Sequence, residues 1–351
     1  MKNALAVSMM AALPQPAVFV GSDQRIVSAN AAARSLLGDG LEGRHFALSL
    51  RQPQAIDTIE AALKSGQPGQ ARLTGLSAGA ETTFRLTVMP VSGDDVRGVL
   101  CLFDDVSEAE QIGQMRREFV ANVSHELRTP LTALLGFIET LRGAARDDAV
   151  ARDKFLQIMA REAGRMNRLV ADLLALSQVE AAERVRPSDL VDVMATVQST
   201  AAALRPLADQ AGTRISVAAD VGRLMVRGDA DQLVQVFQNL MENAVKYGGG
   251  SPVQVTLTRG DERALGGPVV IATVQDQGDG IDPLHLPRLT ERFYRVDSHR
   301  SREQGGTGLG LAIVKHIVNR HRGRLRIKSA VGSGSTFTVI LPEALDNPAD
   351  I

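Results

Sequence analysis

The sequence predicts a multidomain chain with three folds in succession: an α+β domain, an antiparallel helical hairpin that dimerises into a four-helix bundle, and an α/β sandwich. Three observations predict it. Short apolar runs separated by turn residues fill roughly the first 100 positions. Two long stretches then repeat apolar residues at three- and four-residue steps. In the remainder, helical patterns alternate with strands around glycine-rich loops.

At 351 residues the chain has room for two or three domains of about 100–200 residues each. A net charge of −1 provides no global field toward nucleic acid or anionic lipid. One cysteine, Cys101, excludes a disulfide framework within the chain and suits a reducing cytosol. The apolar run at 4–13 after Lys2 is broken by Pro14, Gln15 and Pro16, well short of the ~20 residues that a membrane span needs. The expectation is a cytoplasmic chain, or one held at the inner face of the plasma membrane by a membrane signalling partner or a missing anchor.

In region 8–104, strands are expected at 18–20 and 25–28 around Gly21-Ser22-Asp23, and a helix at 31–37 before Gly38. Strands at 82–91 and 96–103 flank the turn 92–95. With Pro16-Ala17-Val18-Phe19-Val20 at its entry and Asp105-Val106-Ser107 at its exit, this order resembles a PAS sensor domain. Cys101 falls in the last strand and His45 lacks an apolar helix around it. Neither suits a flavin or haem, so no coloured cofactor is expected.

Region 105–185 is helical. Phe119, Val123, Leu127, Leu131, Leu134, Ile138 and Leu141 share one face. After the polar break 142–148, Phe155, Ile158, Met159, Met166, Leu169, Leu173 and Leu176 form a second stripe. A hairpin cannot bury both stripes alone, so a homodimeric bundle is expected. His125 lies off the stripe between Val123 and Leu127. Neutral imidazole is a competent nucleophile near pH 7. Glu126 beside it is expected to hold one ring N–H, leaving the other nitrogen free. Pro130 removes the helical partner of the Glu126 carbonyl. Thr129, one turn beyond His125, can direct a water toward an acyl phosphate or bond a preceding carbonyl.

Region 190–343 carries the remaining motifs. Asn239 and Asn243 stand one helical turn apart, and a carboxamide oxygen is a hard ligand suited to Mg²⁺. Lys246 provides a point charge for a phosphate, and Tyr247 can pack near a base. Asp276-Gln277-Gly278-Asp279-Gly280 follows the strand 269–275, its glycines admitting close backbone approach. Gly305-Gly306-Thr307-Gly308-Leu309-Gly310 opens a helix at 309–320, and backbone N–H groups there favour phosphate. Between these motifs, 296–304 reads as a mobile lid. Arg292 and Arg295 precede it and Arg300 and Arg302 lie within it, and without aromatic interleaving beyond Phe293-Tyr294 or basic excess they suit a triphosphate better than nucleic acid. Strands at 253–258, 269–275 and 336–341 and a helix at 233–245 complete the sandwich.

The string Phe-Val-Ala-Asn-Val-Ser-His-Glu-Leu-Arg-Thr-Pro-Leu-Thr at 119–132 is similar to the phosphoacceptor box of sensor histidine kinases. The asparagine segment resembles the N box of the ATP-binding superfamily that these kinases share with gyrases, chaperone ATPases and mismatch-repair proteins. The resemblance covers 105–342, and Gly136-Phe137-Ile138-Glu139-Thr140-Leu141 points toward phosphate-regulon sensor kinases. It implies ATP with Mg²⁺ on Asn243 and adenine on Asp276. It also implies phosphorylation of His125, transfer to the receiver domain of a response regulator, and phosphatase activity through the His-Glu-x-x-Thr motif. Two rivals were weighed. A gyrase- or chaperone-type ATPase needs a glutamate four residues before the metal asparagine, and Asn239 stands there. A non-enzymatic scaffold predicts a lost histidine, asparagine or glycine loop, and all are present.

Overall fold

The structure, a computed structural model, describes residues 8–75, 82–93, 96–143, 145–183, 185–219, 222–296 and 306–344. It divides into two compact units, Met1–Ala121 and Asn122–Ile351.

The first unit is built on an antiparallel sheet of order β2-β1-β5-β4-β3, from β1 (Ala17–Gly21), β2 (Ile26–Ala29), β3 (Gly69–Thr74), β4 (Thr83–Ser92) and β5 (Arg97–Asp105). Helices α1 (Ala31–Leu37), α2 (Phe46–Ser49) and α3 (Pro53–Ser65) lie between β2 and β3 in the chain. Val18, Val20, Ile26, Phe46, Ile59, Leu73, Leu86, Val99 and Phe103 pack into one core, each contributing roughly 1.5–3 kcal/mol by leaving water. α3 starts on Pro53, where the missing N–H costs nothing, and stops at left-handed Gly66. The expected strands and the first helix are found with ends shifted by one or two residues. α3 and β3 add to the expected elements; α3 carries Ala55, Ile59 and Ala62 on one face at helical spacing, whereas β3 buries only Leu73.

Asn30 organises the start of this unit. Its Oδ1 accepts the N–H groups of Ala17 and Ala33, at 3.0 and 2.8 Å. Its Nδ2 donates to the carbonyls of Leu13 and Gln15, at 3.1 and 2.8 Å. At the other end, Ser107 Oγ accepts from Thr83 N–H at 2.8 Å and its own N–H reaches Asp105, while Arg72 pairs with Glu110. These contacts fix the first turn of the long helix α4 (Ser107–Arg142) to β3 and β4.

In the second unit, the later part of α4 is followed by α5 (Ala149–Ala182), capped by Asp148 Oδ1 on the N–H groups of Val150 and Ala151. Phe137 stacks on Phe155 with ring centres 5.3 Å apart, joining the hairpin near its turn. The sandwich follows: β6 (Leu190–Asp192), α6 (Val193–Ala203), α7 (Arg205–Gln210), β7 (Ile215–Ala219), β8 (Met225–Arg227), α8 (Ala230–Tyr247), β9 (Val253–Glu262), β10 (Gly267–Gln275), α9 (Gly310–Arg320), β11 (Arg324–Ser329) and β12 (Ser335–Pro342). The sheet order is β11-β12-β10-β9-β7, with β7 parallel to β9 and the other pairs antiparallel. Val255, Leu257, Ala272, Val274, Phe337 and Val339 alternate onto the buried face. α8 answers with Leu233, Val236, Phe237, Leu240, Met241 and Ala244, one apolar stripe at helical spacing.

Within the chain α5 packs along α9, and its Leu169, Leu176 and Val179 are buried. Leu131, Leu135, Ile138, Leu156, Val170 and Leu174 are left exposed.

Replacing Asn30 with alanine is expected to cost about 1–3 kcal/mol, because several buried backbone groups lose their partner at once. Limited proteolysis should then cut within 8–16 faster than in the parent, with the second unit unchanged.

Candidate active site

His125 sits on an unbroken stretch of α4, and its ring is exposed. Pro130 lies inside this helix and is buried. One residue earlier, Thr129 Oγ1 donates to the His125 carbonyl at 3.2 Å. That is the back-bonding geometry common for helical threonine. The hydroxyl sits one turn from the imidazole.

Glu126 is not placed as expected. Its carboxylate accepts from Arg165 Nη2 at 2.8 Å and from Arg295 Nη2 at 3.2 Å, and makes no hydrogen bond to the His125 ring. Neighbouring side chains on a helix diverge and do not face each other. The charge-assisted pairs with two guanidiniums therefore prevail. Arg295, expected beside a triphosphate, is committed to this pair with its side chain 8% exposed.

The second centre is one face of α8. Asn239, Asn243 and Tyr247 follow at four-residue steps, so they share one face of α8 about 12 Å long at 1.5 Å per residue, the candidate ligand groove. Each end is closed by glycine backbone. At the Asn239 end, a side chain on Gly310 would place its Cβ 2.7 Å from Asn239 Oδ1. At the Tyr247 end, a Cβ on Gly278 would lie 2.0 Å from the Tyr247 carbonyl oxygen. Asn239 also donates through Nδ2 to the Gln235 carbonyl at 3.0 Å. The Asn243 carboxamide has no hydrogen bond among the described residues and stays available to a ligand. Lys246 is paired with Glu242 at 2.9 Å. That contact holds its ammonium on the helix surface.

Asp276 is 4% exposed. Its Oδ1 accepts the N–H groups of Gly278 and Ser335, at 3.0 and 3.2 Å, which leaves Oδ2 for a donor in the groove. Burial raises its pKa above the ordinary carboxylate range, outweighing the lowering by those two bonds. Gly280 is left-handed and approaches the Ala330 carbonyl, where a Cβ would be 1.9 Å away.

The glycine loop is described from Gly306 onward; Gly305 and 297–304, including Arg300 and Arg302, lie outside the described residues. Gly308 takes a left-handed φ of 74° against Phe293, whose N–H donates to the Gly308 carbonyl at 2.9 Å. Thr307 Oγ1 accepts from Leu309 N–H and donates to Asp172 Oδ2 at 2.7 Å. Desolvation raises the pKa of Asp172. This side chain of α5 was not anticipated. Neither were Glu180, which accepts from Arg292 Nη2 at 2.7 Å, and Glu183, 3.0 Å from His316 Nδ1. The three acids stand at i, i+8 and i+11 along α5 and its C-cap, Glu183. That common face was the available signal, hidden by its likeness to a solvated edge.

Residues 10–111 match the PAS fold family, 115–182 the His Kinase A (phospho-acceptor) domain, and 228–345 the histidine kinase-, DNA gyrase B- and HSP90-like ATPase family. These three matches, in this order around the histidine helix and the α8 groove, place the chain in the sensor histidine kinase family. It is 38% identical to the sensor-like histidine kinase SenX3 of Mycolicibacterium smegmatis over 294 residues, 84% of this chain and 72% of that protein. Against the phosphate regulon sensor protein PhoR of Pseudomonas aeruginosa it is 44% identical over 243 residues, 68% of this chain and 53% of that protein. The chain thus spans about half the length of the latter relative. The solved structure of histidine kinase ThkA in complex with response regulator protein TrrA shares the fold, with a TM-score of 0.51 at 21% identity over 98% of this chain and 99% of that one. Among the described residues no helix is long and apolar enough to cross a membrane.

Gly278→Val is expected to fill the Tyr247 end of the groove and to abolish binding of a fluorescent adenine nucleotide. Circular dichroism should keep its helical signal.

Proposed function

We propose that this chain transfers the γ-phosphoryl of ATP to His125 and then to an aspartate of a response-regulator receiver domain. The observation that carries the reading is an exposed, uncommitted imidazole in the same compact unit as a groove whose two ends suit a base and a phosphate chain. A ring nitrogen of His125 attacks the γ-phosphorus, the bond to the β,γ-bridging oxygen breaks, and ADP leaves. Such a transfer needs mainly positioning and charge stabilisation.

In this reading Asp276 Oδ2 accepts the adenine amino group, with Gly278 and Gly280 letting the backbone approach the base. Tyr247 packs beside it. Gly306, Thr307, Gly308, Leu309 and Gly310 present backbone N–H groups to the phosphates at the start of α9. Asn243, with Asn239 one turn away, would provide the oxygen that holds Mg²⁺, and the ion would offset the negative charge of the phosphates. Lys246 and Arg295 reach the phosphates only by leaving Glu242 and Glu126. Glu126 likewise takes the His125 ring proton only after a rotamer change that releases Arg295.

The exposed Leu131, Leu135, Ile138, Leu156, Val170 and Leu174 support a homodimer through the hairpin. We assign 8–104 to sensing, 105–185 to dimerisation and phosphoacceptance, and 190–343 to ATP binding. Signal would enter along 105–118 from Ser107 and Glu110, which are pinned to β4 and β3. The similarity to a phosphate regulon sensor supports a role in phosphate-starvation signalling, and a membrane protein upstream would complete the path.

Incubation with γ-labelled ATP should give an acid-labile, base-stable phosphoprotein. His125→Gln and Asn243→Asp should each reduce labelling to background with the fold intact; label surviving on His125→Gln would refute the assignment.

Thr129 is proposed to hold the water that hydrolyses the regulator's acyl phosphate. Thr129→Ala should autophosphorylate normally and lose the enzyme-stimulated decay of regulator phosphate. An unchanged decay would leave Thr129 only its bond to the His125 carbonyl.

A further inference from the structure

His321 follows α9 and is 1% exposed, the most buried histidine among the described residues. Both ring nitrogens are bonded to main chain. Nδ1 lies 2.8 Å from the Ile317 carbonyl oxygen, and Nε2 lies 3.0 Å from the Asp229 nitrogen. A carbonyl can only accept and a backbone N–H can only donate. The ring is therefore the neutral tautomer with its proton on Nδ1 and a lone pair on Nε2.

The two partners are not ordinary backbone. Ile317 belongs to the last turn of α9, whose first residues form the glycine loop. Asp229 is the N-cap of α8, and its Oδ1 accepts the Gln232 N–H at 3.2 Å. One imidazole thus joins the end of the glycine-loop helix to the start of the asparagine helix. The site is shaped to the ring: a Cβ on Gly228 would lie 3.0 Å from His321 Cδ2. Next to it, Arg320 Nη1 pairs with Asp229 Oδ2 at 3.4 Å, and Arg320 Nε donates to the carbonyls of Ala182 and Val185 at the end of α5.

The geometry points to His321 as a positioning residue for the nucleotide site, holding α8 and α9 in the register that sets Asn239 against Gly310. The inference rests on the reading of that groove as an adenine-nucleotide site. His321 itself touches no ligand; it acts through the two helices. Losing the Nε2 acceptor leaves the partly buried Asp229 N–H at the cap of α8 without its partner, and the helix shifts or frays to reach another.

Binding of MgADP to the full chain, measured by calorimetry, tests it without depending on phosphotransfer. His321→Asn can still donate to Ile317 but is too short for Asp229. It should weaken binding up to about tenfold, the effect of one unsatisfied, partly buried donor. His321→Gln can place its carboxamide oxygen near the Nε2 position, and should recover most of that loss. A pH series adds a second readout. Asp229, Arg320 and Arg186 face the ring, and burial pushes its pKa below the usual imidazole value. The bond set is complete above about pH 6.5 and is lost as pH falls through that depressed value. The acid-induced weakening should be larger in the parent than in His321→Gln, where only protonation of Asp276, whose pKa burial raises, remains to weaken binding. If Asn and Gln both bind like the parent, the positioning role is wrong although the site stands. If the parent binds no adenine nucleotide, the reading of the groove falls and this inference with it.

Discussion

The nucleotide side of the molecule depends on main chain lying directly against main chain where α8 ends. Gly278 rests on the Tyr247 carbonyl, Gly334 on the Asp276 carbonyl and Gly280 on the Ala330 carbonyl, each at a distance that excludes a Cβ. Two of the three are left-handed as well, Gly280 at φ 70° and Gly334 at 77°. Stacking backbone this closely brings the Asp276 carboxylate to the rim of the α8 groove while its Oδ1 is satisfied by Gly278 and Ser335. The carboxylate is buried and still has one oxygen to offer. A side chain at any of these glycines would push the turn outward by an ångström or more.

The second constraint is competition for α5. Its apolar residues serve two partners: Leu169, Leu176 and Val179 are buried within this chain, while Leu156, Val170 and Leu174 remain open. Polar contacts reinforce the intrachain side, from Asp172 on Thr307 through Glu180 on Arg292 to Glu183 on His316. Most of these pairs are partly exposed, so each is worth at most about 1 kcal/mol. A docked arrangement held by several weak polar links over a small apolar seam can be released without unfolding either element. A fully hydrophobic seam could not be. This suits a kinase in which the histidine and the groove must meet and then separate.

Much of this was legible in the sequence because it rests on local rules. The periods of α4, α5 and α8 gave the helices, and the glycine spacing after β10 and before α9 gave the loops. His125 off its apolar stripe and the asparagines one turn apart needed no tertiary knowledge. The elements that escaped are those whose identity is set by packing. α6, with Val-Met-Ala-Thr-Val-Gln-Ser-Thr-Ala-Ala-Ala, shows little amphipathic contrast and is a helix because Val193, Thr196, Val197 and Thr200 are buried beside α8.

The polar partners escaped for a different reason. Glu126 and Arg295 are 169 positions apart, Thr307 and Asp172 135, and Asp229 and His321 92. Nothing in a one-dimensional pattern separates such residues from a solvated face, since a charge at the edge of an amphipathic helix looks the same whether water or an arginine meets it. The expected Glu126–His125 bond failed on a local rule that was available, the divergence of adjacent helical side chains. What replaced it was not local: two guanidiniums from distant helix and loop positions arrived because the fold put them there. The chemistry-bearing residues of this chain are thus readable one by one, while the state in which they are held is a property of the three-dimensional arrangement. Among the described residues the His125 ring has no hydrogen bond, while the carboxylate of its neighbour Glu126 meets two guanidiniums.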